Sequence, residues 1–460
     1  MSKGIFAPTD LTKGSVWKGI LSFTLPMLIG NMAQQLYSTV DMIVLKRYAE
    51  NSDIAISSIG SVLPILNMFL ALFIGIAAGA GVMAAQYFGA KNRDALSYTV
   101  GNCITATAAS CVVLIALVSP FVQPILVLLN TPSESIQGCY EYLMISLIGI
   151  AGLGYYNVLS GVIRGLGDSI TPLVFLVIGT VLNIGLDIWF VAGFKKGVAG
   201  VALATVISQV LTSVMCLVRL AIMKSHFDFG WKYIRPKAQY INMIAKLGLP
   251  SGATQAIFSS AMIVVQSLTN SFGASFVAAN VIIMRVDGFA MMPNFSFGTA
   301  LTTFAGQNVG AGKYDRVIKG AKQGTLMAVG ISAGITVLIL LFGKYLMGLF
   351  TETTELVNLS YRLMKILAVG YIAMAVTQSL SGIMRGAGDT LSPMIISIIT
   401  TIAVRIPVAY GIAFFTSPDG VLNHGRSECI HISLLCSWVL GAILTVIFYR
   451  IGKWKKKSIA

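Results

Sequence analysis

Charge is scarce in this sequence. Only 11% of its 460 residues are charged, against 56% that are hydrophobic; soluble domains average about 25% charge. A chain of this size has too few polar side chains to cover itself in water, which excludes disorder and a soluble enzyme. Histidine is almost missing: His226, His424 and His431 are too few and too dispersed for a metal centre. The six cysteines show no Cys-x-x-Cys spacing and most sit in apolar runs, which reads as packing rather than a disulfide or metal framework. Acidic residues number 17 against 32 Lys and Arg. A net charge of +15 would suit a nucleic-acid binder, but the basic residues lie in short runs between apolar segments. That is the pattern of cytoplasmic membrane loops, so no nucleic-acid partner is expected.

What the sequence has in abundance is long apolar runs. Twelve segments follow one another, the first from about Ile20 to Leu45 and the last from about Cys429 to Ile451. Each can supply the roughly 20 residues a helix needs to cross a bilayer, and nothing alternates like a barrel strand. The first run is too long for a signal peptide and has no small-residue cleavage site. Most Lys and Arg fall on the N-terminus, the even-numbered connections and the tail from Lys453 to Lys457. The expectation is therefore a multi-pass protein of the cell membrane with both termini cytoplasmic.

The chain repeats itself. Gly161-Val-Ile-Arg-Gly-Leu-Gly-Asp-Ser-Ile-Thr-Pro172 returns as Gly382-Ile-Met-Arg-Gly-Ala-Gly-Asp-Thr-Leu-Ser-Pro393, and Gln86-Tyr-Phe-Gly-Ala90 returns as Gln307-Asn-Val-Gly-Ala311. Both pairs are 221 residues apart, and Leu25-Pro26 recurs as Leu249-Pro250 at nearly that spacing. With six spans in each half, both halves have the same membrane orientation, a parallel repeat of the kind known among secondary transporters. The predicted fold is an all-α integral membrane protein with twelve transmembrane helices in two pseudo-symmetric six-helix lobes. Residues 1–223 form the first lobe, the polar stretch 224–240 a cytoplasmic linker, and 241–460 the second lobe with its basic tail.

Charges inside a bilayer are costly, so each is a functional candidate. Asp41 lies near the end of span 1; Asn183 and Asp187, four apart on span 5, share a helix face; Thr205 lies on span 6. At about 1.5 Å per residue the three helices place Asp41, Asp187 and Thr205 roughly 8, 12 and 10 Å below the outer surface. Two carboxylates sharing a poorly solvated cavity disfavour double ionisation, so the pair can hold one proton, or Na+ with help from Asn183 and Thr205. The alternative is that these residues only join helices by hydrogen bonds. The second half does not repeat the acids: Val404 and Val408 stand at the matching positions, with Arg405 beside them. Arg285 and Asp287 lie within span 8, two residues apart, and cannot pair on one face. Asp287 either attracts a cationic substrate or belongs to a structural ion-pair network. Asn31, Gln34, Gln255, Asp287 and Met291 are candidates for a substrate cavity, from polarity and, for Met291, from the plasticity of methionine. In the repeated loops, Arg164, Asp168, Arg385 and Asp389 serve either structure, through tight glycine turns and helix caps, or gating.

The ordered set of motifs resembles the multidrug and toxic compound extrusion (MATE) family over nearly the whole chain: Leu-Pro early in spans 1 and 7, Gln-x-x-Gly-Ala after spans 2 and 8, Arg-Gly-x-Gly-Asp-x-x-x-Pro after spans 4 and 10. The resemblance implies two lobes in a V around a central cavity and export of cationic or amphipathic compounds driven by inward H+ or Na+. It also implies a cation site at Asp41, Asn183, Asp187 and Thr205. Another branch carries a Glu eight residues after the span 7 proline; here that residue is Phe258, which argues against a cation site of that type in the second lobe. The expected protein is a cation-coupled multidrug antiporter working by alternating access. It is expected to act as a monomer in a lipid bilayer, with a small-molecule substrate and no cofactor beyond the coupling ion. A lipid-linked oligosaccharide flippase is the alternative, disfavoured by the shortage of basic residues within the spans; a membrane enzyme would need clustered His or acids.

Overall fold

A computed structural model describes residues 8–48, 52–128, 131 and 133–459. Every regular element among them is helical. In the first half these are α1 (Val16–Tyr48), α2 (Ser52–Gly89), α3 (Arg93–Val118), α4 (Val122–Leu128), α5 (Ser133–Ile148), α6 (Ile150–Gly165), α7 (Ile170–Asp187), α8 (Gly197–Ile222) and the short α9 (Trp231–Ile234). The second half holds α10 (Ala238–Ser271), α11 (Ala274–Gly310), α12 (Tyr314–Gly348), α13 (Thr354–Ala368), α14 (Gly370–Gly386), α15 (Leu391–Ser397), α16 (Ile406–Thr416) and α17 (Cys429–Ile451). Nine described helices are long and apolar enough to cross a membrane, and two bent pairs raise the count to 11. With α1, 33 residues long and carrying the first apolar run, this is consistent with twelve spans in a multi-pass membrane protein.

Helices are what the bilayer permits, because hydrocarbon offers no partner to an unpaired backbone group. Hydroxyls in the spans meet the same demand locally. Thr24, Thr99, Thr107, Ser208, Thr269 and Thr445 each donate to the carbonyl four residues earlier.

The chain forms two compact units. One takes in the residues up to Asp10 and Leu25–Gly252; the other takes in Leu11–Thr24 and Ala253–Ile459. The chain thus passes between units inside α1 and again inside α10, each time two residues from a proline within the helix, Pro26 and Pro250. Proline removes a backbone bond at that point and is the usual cause of a helix kink.

Within each unit the repeat is visible atom by atom. The pair α5–α6 bends by 50° and the pair α13–α14 by 43°. The bends fall at Gly149 and at Val369-Gly370, where the glycines face neighbouring helices: a Cβ on Gly149 would collide with Val206 of α8, and one on Gly370 would lie 2.5 Å from Trp438 of α17. The glycines of the long motif have divided duties. Gly161 and Gly165 lay α6 against α2, where added Cβ atoms would lie 2.9 Å from Ala77 O and 2.5 Å from Gly81 O. Gly382 and Gly386 do the same for α14, against the carbonyls of Gly298 and Thr302 in α11. This is the small-xxx-small packing that lets membrane helices touch backbone to backbone. The turn itself needs Gly167 and Gly388, at φ 91° and 96°.

The segments that lead into spans 1 and 7 are each clamped to the end of another helix pair. In the second unit, Leu11 N donates to Gln307 Oε1 at 2.9 Å. Asn308 Nδ2 donates to Leu11 O, Lys313 Nζ to Thr12 O, and Arg316 Nη1 to Gly14 O. In the first unit, Arg93 makes a two-pronged bond to Asp228 and also donates to the carbonyls of Lys224 and Ser225. Thr105 and Asn102 donate to Ile234 O and Tyr233 O. The Arg93 hydrogen bonds hold the Asp228 carboxyl below its usual range. That clamp is therefore present at neutral pH and is lost only as pH falls through the lowered value.

Backbone geometry sets the expected stability of three variants. Gly386→Ala forces α14 off α11 and is expected to cost about 1–3 kcal/mol, whereas Gly334→Ala, where a Cβ meets nothing within 4 Å, should be neutral or gain up to about 1 kcal/mol. Lys91 holds φ 55° where the matching turn of the other half has Gly312 at φ 70°. Lys91→Gly should relieve about 1 kcal/mol of left-handed strain. Thermal unfolding of the purified variants in detergent, side by side with the native protein, reads all three.

Candidate cation site and the repeated loops

The candidate site is built on α7. The helix starts where Asp168 caps it, accepting from Thr171 N at 2.9 Å and Thr171 Oγ1 at 2.6 Å, with Pro172 in the first turn. It ends in a π-helical turn, Ile188–Gly193, that begins at the residue after Asp187. Such turns re-aim side chains and are frequent at functional sites. Asn183 and Asp187 are fully buried, on one face of α7.

The neighbouring helix is α8. A Cβ on Gly179 would lie 2.5 Å from Thr212 Cγ2 and 3.8 Å from Ser208 O, so the two helices run close together there. They are antiparallel, so one turn along α7 from Gly179 to Asn183 corresponds to one turn back along α8, towards Thr205. Thr205 is half-buried. Asn183 and Asp187 thus lie one and two turns along α7 from the close contact at Gly179, and Thr205 one turn along α8 from Ser208; carboxylate, amide and hydroxyl oxygens are the donor types that suit a small hard cation or a proton. A Cβ on Gly30 of α1 would lie 3.6 Å from Leu173 Cδ1 of α7. Asp41 lies eleven residues further along α1, and its side chain is outside the described residues.

The other candidates are dispersed. In the first unit Asn31 is half-buried and Gln34 exposed. In the second, Gln255 is exposed and Met291 sits in the apolar core with Tyr371 and Trp438. Asp287 accepts a hydrogen bond from Tyr371 Oη at 2.9 Å. Arg405 lies within electrostatic reach of both Asp287 and His431. Phe258 lines a cavity in the second unit. Five of the six cysteines are buried, all are free thiols, and no cluster of metal-ligating side chains occurs among the described residues.

In the repeated loops Asp389 caps α15 as Asp168 caps α7, accepting from Ser392 N at 3.3 Å and Ser392 Oγ at 2.7 Å. The two acids differ in one respect. Asp168 also takes an ion pair from Arg219 Nη2 at 3.0 Å, while the residue 221 positions after Arg219 is Leu440. Sequence reading missed Arg219 as a partner and Tyr371 as a donor. A test for residues that break the repeat would have flagged Arg219; Tyr371 matches Ile150 and breaks it too.

An all-helical, duplicated membrane protein with a buried acid-and-amide site has the architecture of a secondary transporter. The family model described as MatE matches residues 26–189 and, a second time, residues 250–411. The chain belongs to the MatE family, and is a transporter rather than an enzyme. It is 29% identical to the Probable multidrug resistance protein YoeA of Bacillus subtilis, over 97% of this chain and 96% of that one. It is 26% identical to the Probable multidrug resistance protein NorM of Thermotoga maritima, over 96% and 94%. Among solved structures, a MATE protein in its bent conformation superposes with a TM-score of 0.89 at 23% identity, covering 100% of both chains.

The loop asymmetry is testable. Asp168→Asn breaks the ion pair with Arg219 as well as a cap and is expected to destabilise by about 3 kcal/mol, whereas Asp389→Asn weakens only a cap, by about 1 kcal/mol. Equal shifts of the two variants in thermal unfolding would show that the Arg219 pair adds nothing.

Proposed function

We propose that the protein exports small amphipathic or cationic organic compounds from the cell, driven by inward movement of H+ or Na+ through the α7–α8 site. The observation that carries this reading is the fully buried carboxylate of Asp187, with Asn183 on its face and Thr205 on the adjoining helix. An acid held inside a bilayer protein is expensive to keep and marks an ion path. The names of the relatives, both multidrug resistance proteins, support the substrate class. The charge bias of the connections supports both termini in the cytoplasm of a cell-membrane protein.

Asp41 and Asp187 take the cation from outside; Asn183 and Thr205 complete its shell or orient the proton-bearing carboxyl. Filling the site removes the repulsion between two carboxylates and lets α1 draw in toward α7, pivoting near Pro26. Substrate is then released outward. Linkage requires cation and substrate to weaken each other's binding by the same factor. A MATE protein solved in both a straight and a bent conformation is in keeping with a helix that changes shape.

The experiment uses the purified protein in proteoliposomes loaded with a fluorescent organic cation. Efflux is followed under an imposed pH gradient and, separately, a Na+ gradient. Native protein should export under at least one gradient, and Asp187→Asn and Asp41→Asn should each lower the rate at least tenfold. Gradient-driven export by the Asp187→Asn variant at the native rate would remove this site from the mechanism. Folded native protein inert under both gradients would turn attention to a lipid-linked substrate.

A further inference from the structure

The second unit contains a cavity of about 50 Å³ at the cytoplasmic end of α14, and four of the polar side chains lining it are unspent. Arg385, Gln378 and Ser381 come from α14 and Ser397 from the end of α15. None of the four makes a side-chain hydrogen bond or ion pair with any described residue. Ser381 and Ser397 are 4% and 7% exposed. No carboxylate lines the cavity, and three further hydroxyls there have their protons committed elsewhere: Thr377 to Ala373 O, Thr400 to Ile396 O, Ser437 to Thr400 O. The space therefore presents one full positive charge, an amide NH2 and two hydroxyl donors, with no negative group.

The first unit shows that the fold does not require this. At the matching positions Asn157 donates to Leu153 O and Ser160 to Asn157 O, so both are spent within their own helix. Ser397 is matched by Leu176 and Thr377 by Tyr156, whose hydroxyl donates to Pro172 O. Arg385 itself is matched by Arg164; what belongs to the second unit alone is the set of unspent donors beside the arginine, Gln378, Ser381 and Ser397.

A half-buried guanidinium with no counterion in its cavity is costly, and so is each unpaired buried donor such as Ser381 and Ser397. We propose that this cavity is a binding site for a small inorganic monovalent anion of chloride size, held by Arg385 with Gln378, Ser381 and Ser397. The volume admits such an ion with a water or two and excludes organic ligands, whose pockets start near 300 Å³. The anion neutralises Arg385 where α14 and α15 meet, and its binding does not depend on the transport cycle proposed above.

The test is thermal unfolding of the purified, detergent-solubilised protein in sodium chloride against sodium gluconate, at constant sodium. The native midpoint should rise with chloride and saturate, since a ligand that binds only the folded state stabilises it by mass action. Bromide should replace chloride and give an anomalous scattering peak beside Arg385 in crystals. Arg385→Gln and Ser397→Leu, the latter placing the first unit's residue in the cavity, should each lose the chloride response. If Arg385→Gln fails to fold, Ser397→Leu decides by itself. A native midpoint indifferent to chloride, a variant that responds as the native protein does, or bromide located elsewhere would each overturn the assignment and leave the cavity to water.

Discussion

Hydrocarbon has nothing to offer a polar group, and most of this structure follows from that. Helical spans close their backbone amides internally, and hydroxyls such as those of Thr24, Thr107, Thr269 and Thr445 are closed onto a carbonyl one turn back. With the ordinary polar groups silenced locally, association of helices falls to close packing, and glycine sets how close. Gly161, Gly165, Gly382 and Gly386 admit a partner backbone where any side chain would collide. Two adjoining glycine-bearing turns in each half thus determine which helix lies on which, α6 on α2 and α14 on α11.

The same constraint makes the exceptions informative. A polar side chain that is buried in a span and is not closed onto its own helix must be held by another helix or be kept for a ligand. Asp287 belongs to the first kind, held by Tyr371 with Arg405 nearby. Asn294 is another, bridging Tyr371 O and Ser332 Oγ. Asp187 with Asn183 and Thr205 is the set proposed for the coupling cation, and Arg385 with its three donors the set proposed for an anion. Sorting by this criterion separates packing from chemistry without appeal to motif.

Much of this was legible before the structure. Helix class, span positions and duplication follow from apolar run length and from motif copies 221 residues apart, because membrane spans must be long, continuous and apolar whatever their neighbours. Asn183 and Asp187 were legible as a pair since a spacing of four fixes a helix face. What could not be read is what depends on contacts distant in sequence. The clamp of Leu11 by Gln307 and Asn308 joins residues almost 300 apart, and no periodicity reports it. The motif Gln-x-x-Gly-Ala was visible, but its task of gripping a lead-in segment was not. Likewise the motif glycines were read as turn formers, which is true of Gly167 and Gly388; Gly165 and Gly386 proved to be contact residues. Met291, chosen for plasticity, is core, since a methionine's environment is set by helix rotation that apolar composition leaves undetermined.

Duplication ordinarily doubles a site, and here it does not. The two halves share bends, caps, turns and glycine contacts, all features that govern folding. They keep the loop charges, Arg164 and Asp168 matching Arg385 and Asp389, and differ at other charged positions. The first unit sets an ion pair, Asp168–Arg219, under the start of α7 and an acid at its end; the second has Leu440 and Val408 in those places, and a half-buried Arg405 where the first has Ile184. A folding requirement acts on both copies equally, so it does not account for a charge present in one copy and replaced by an apolar residue in the other. The divergence therefore records function. The buried acid of Asp187 stands in one half alone, so the duplication that repeats the fold does not repeat the proposed cation site.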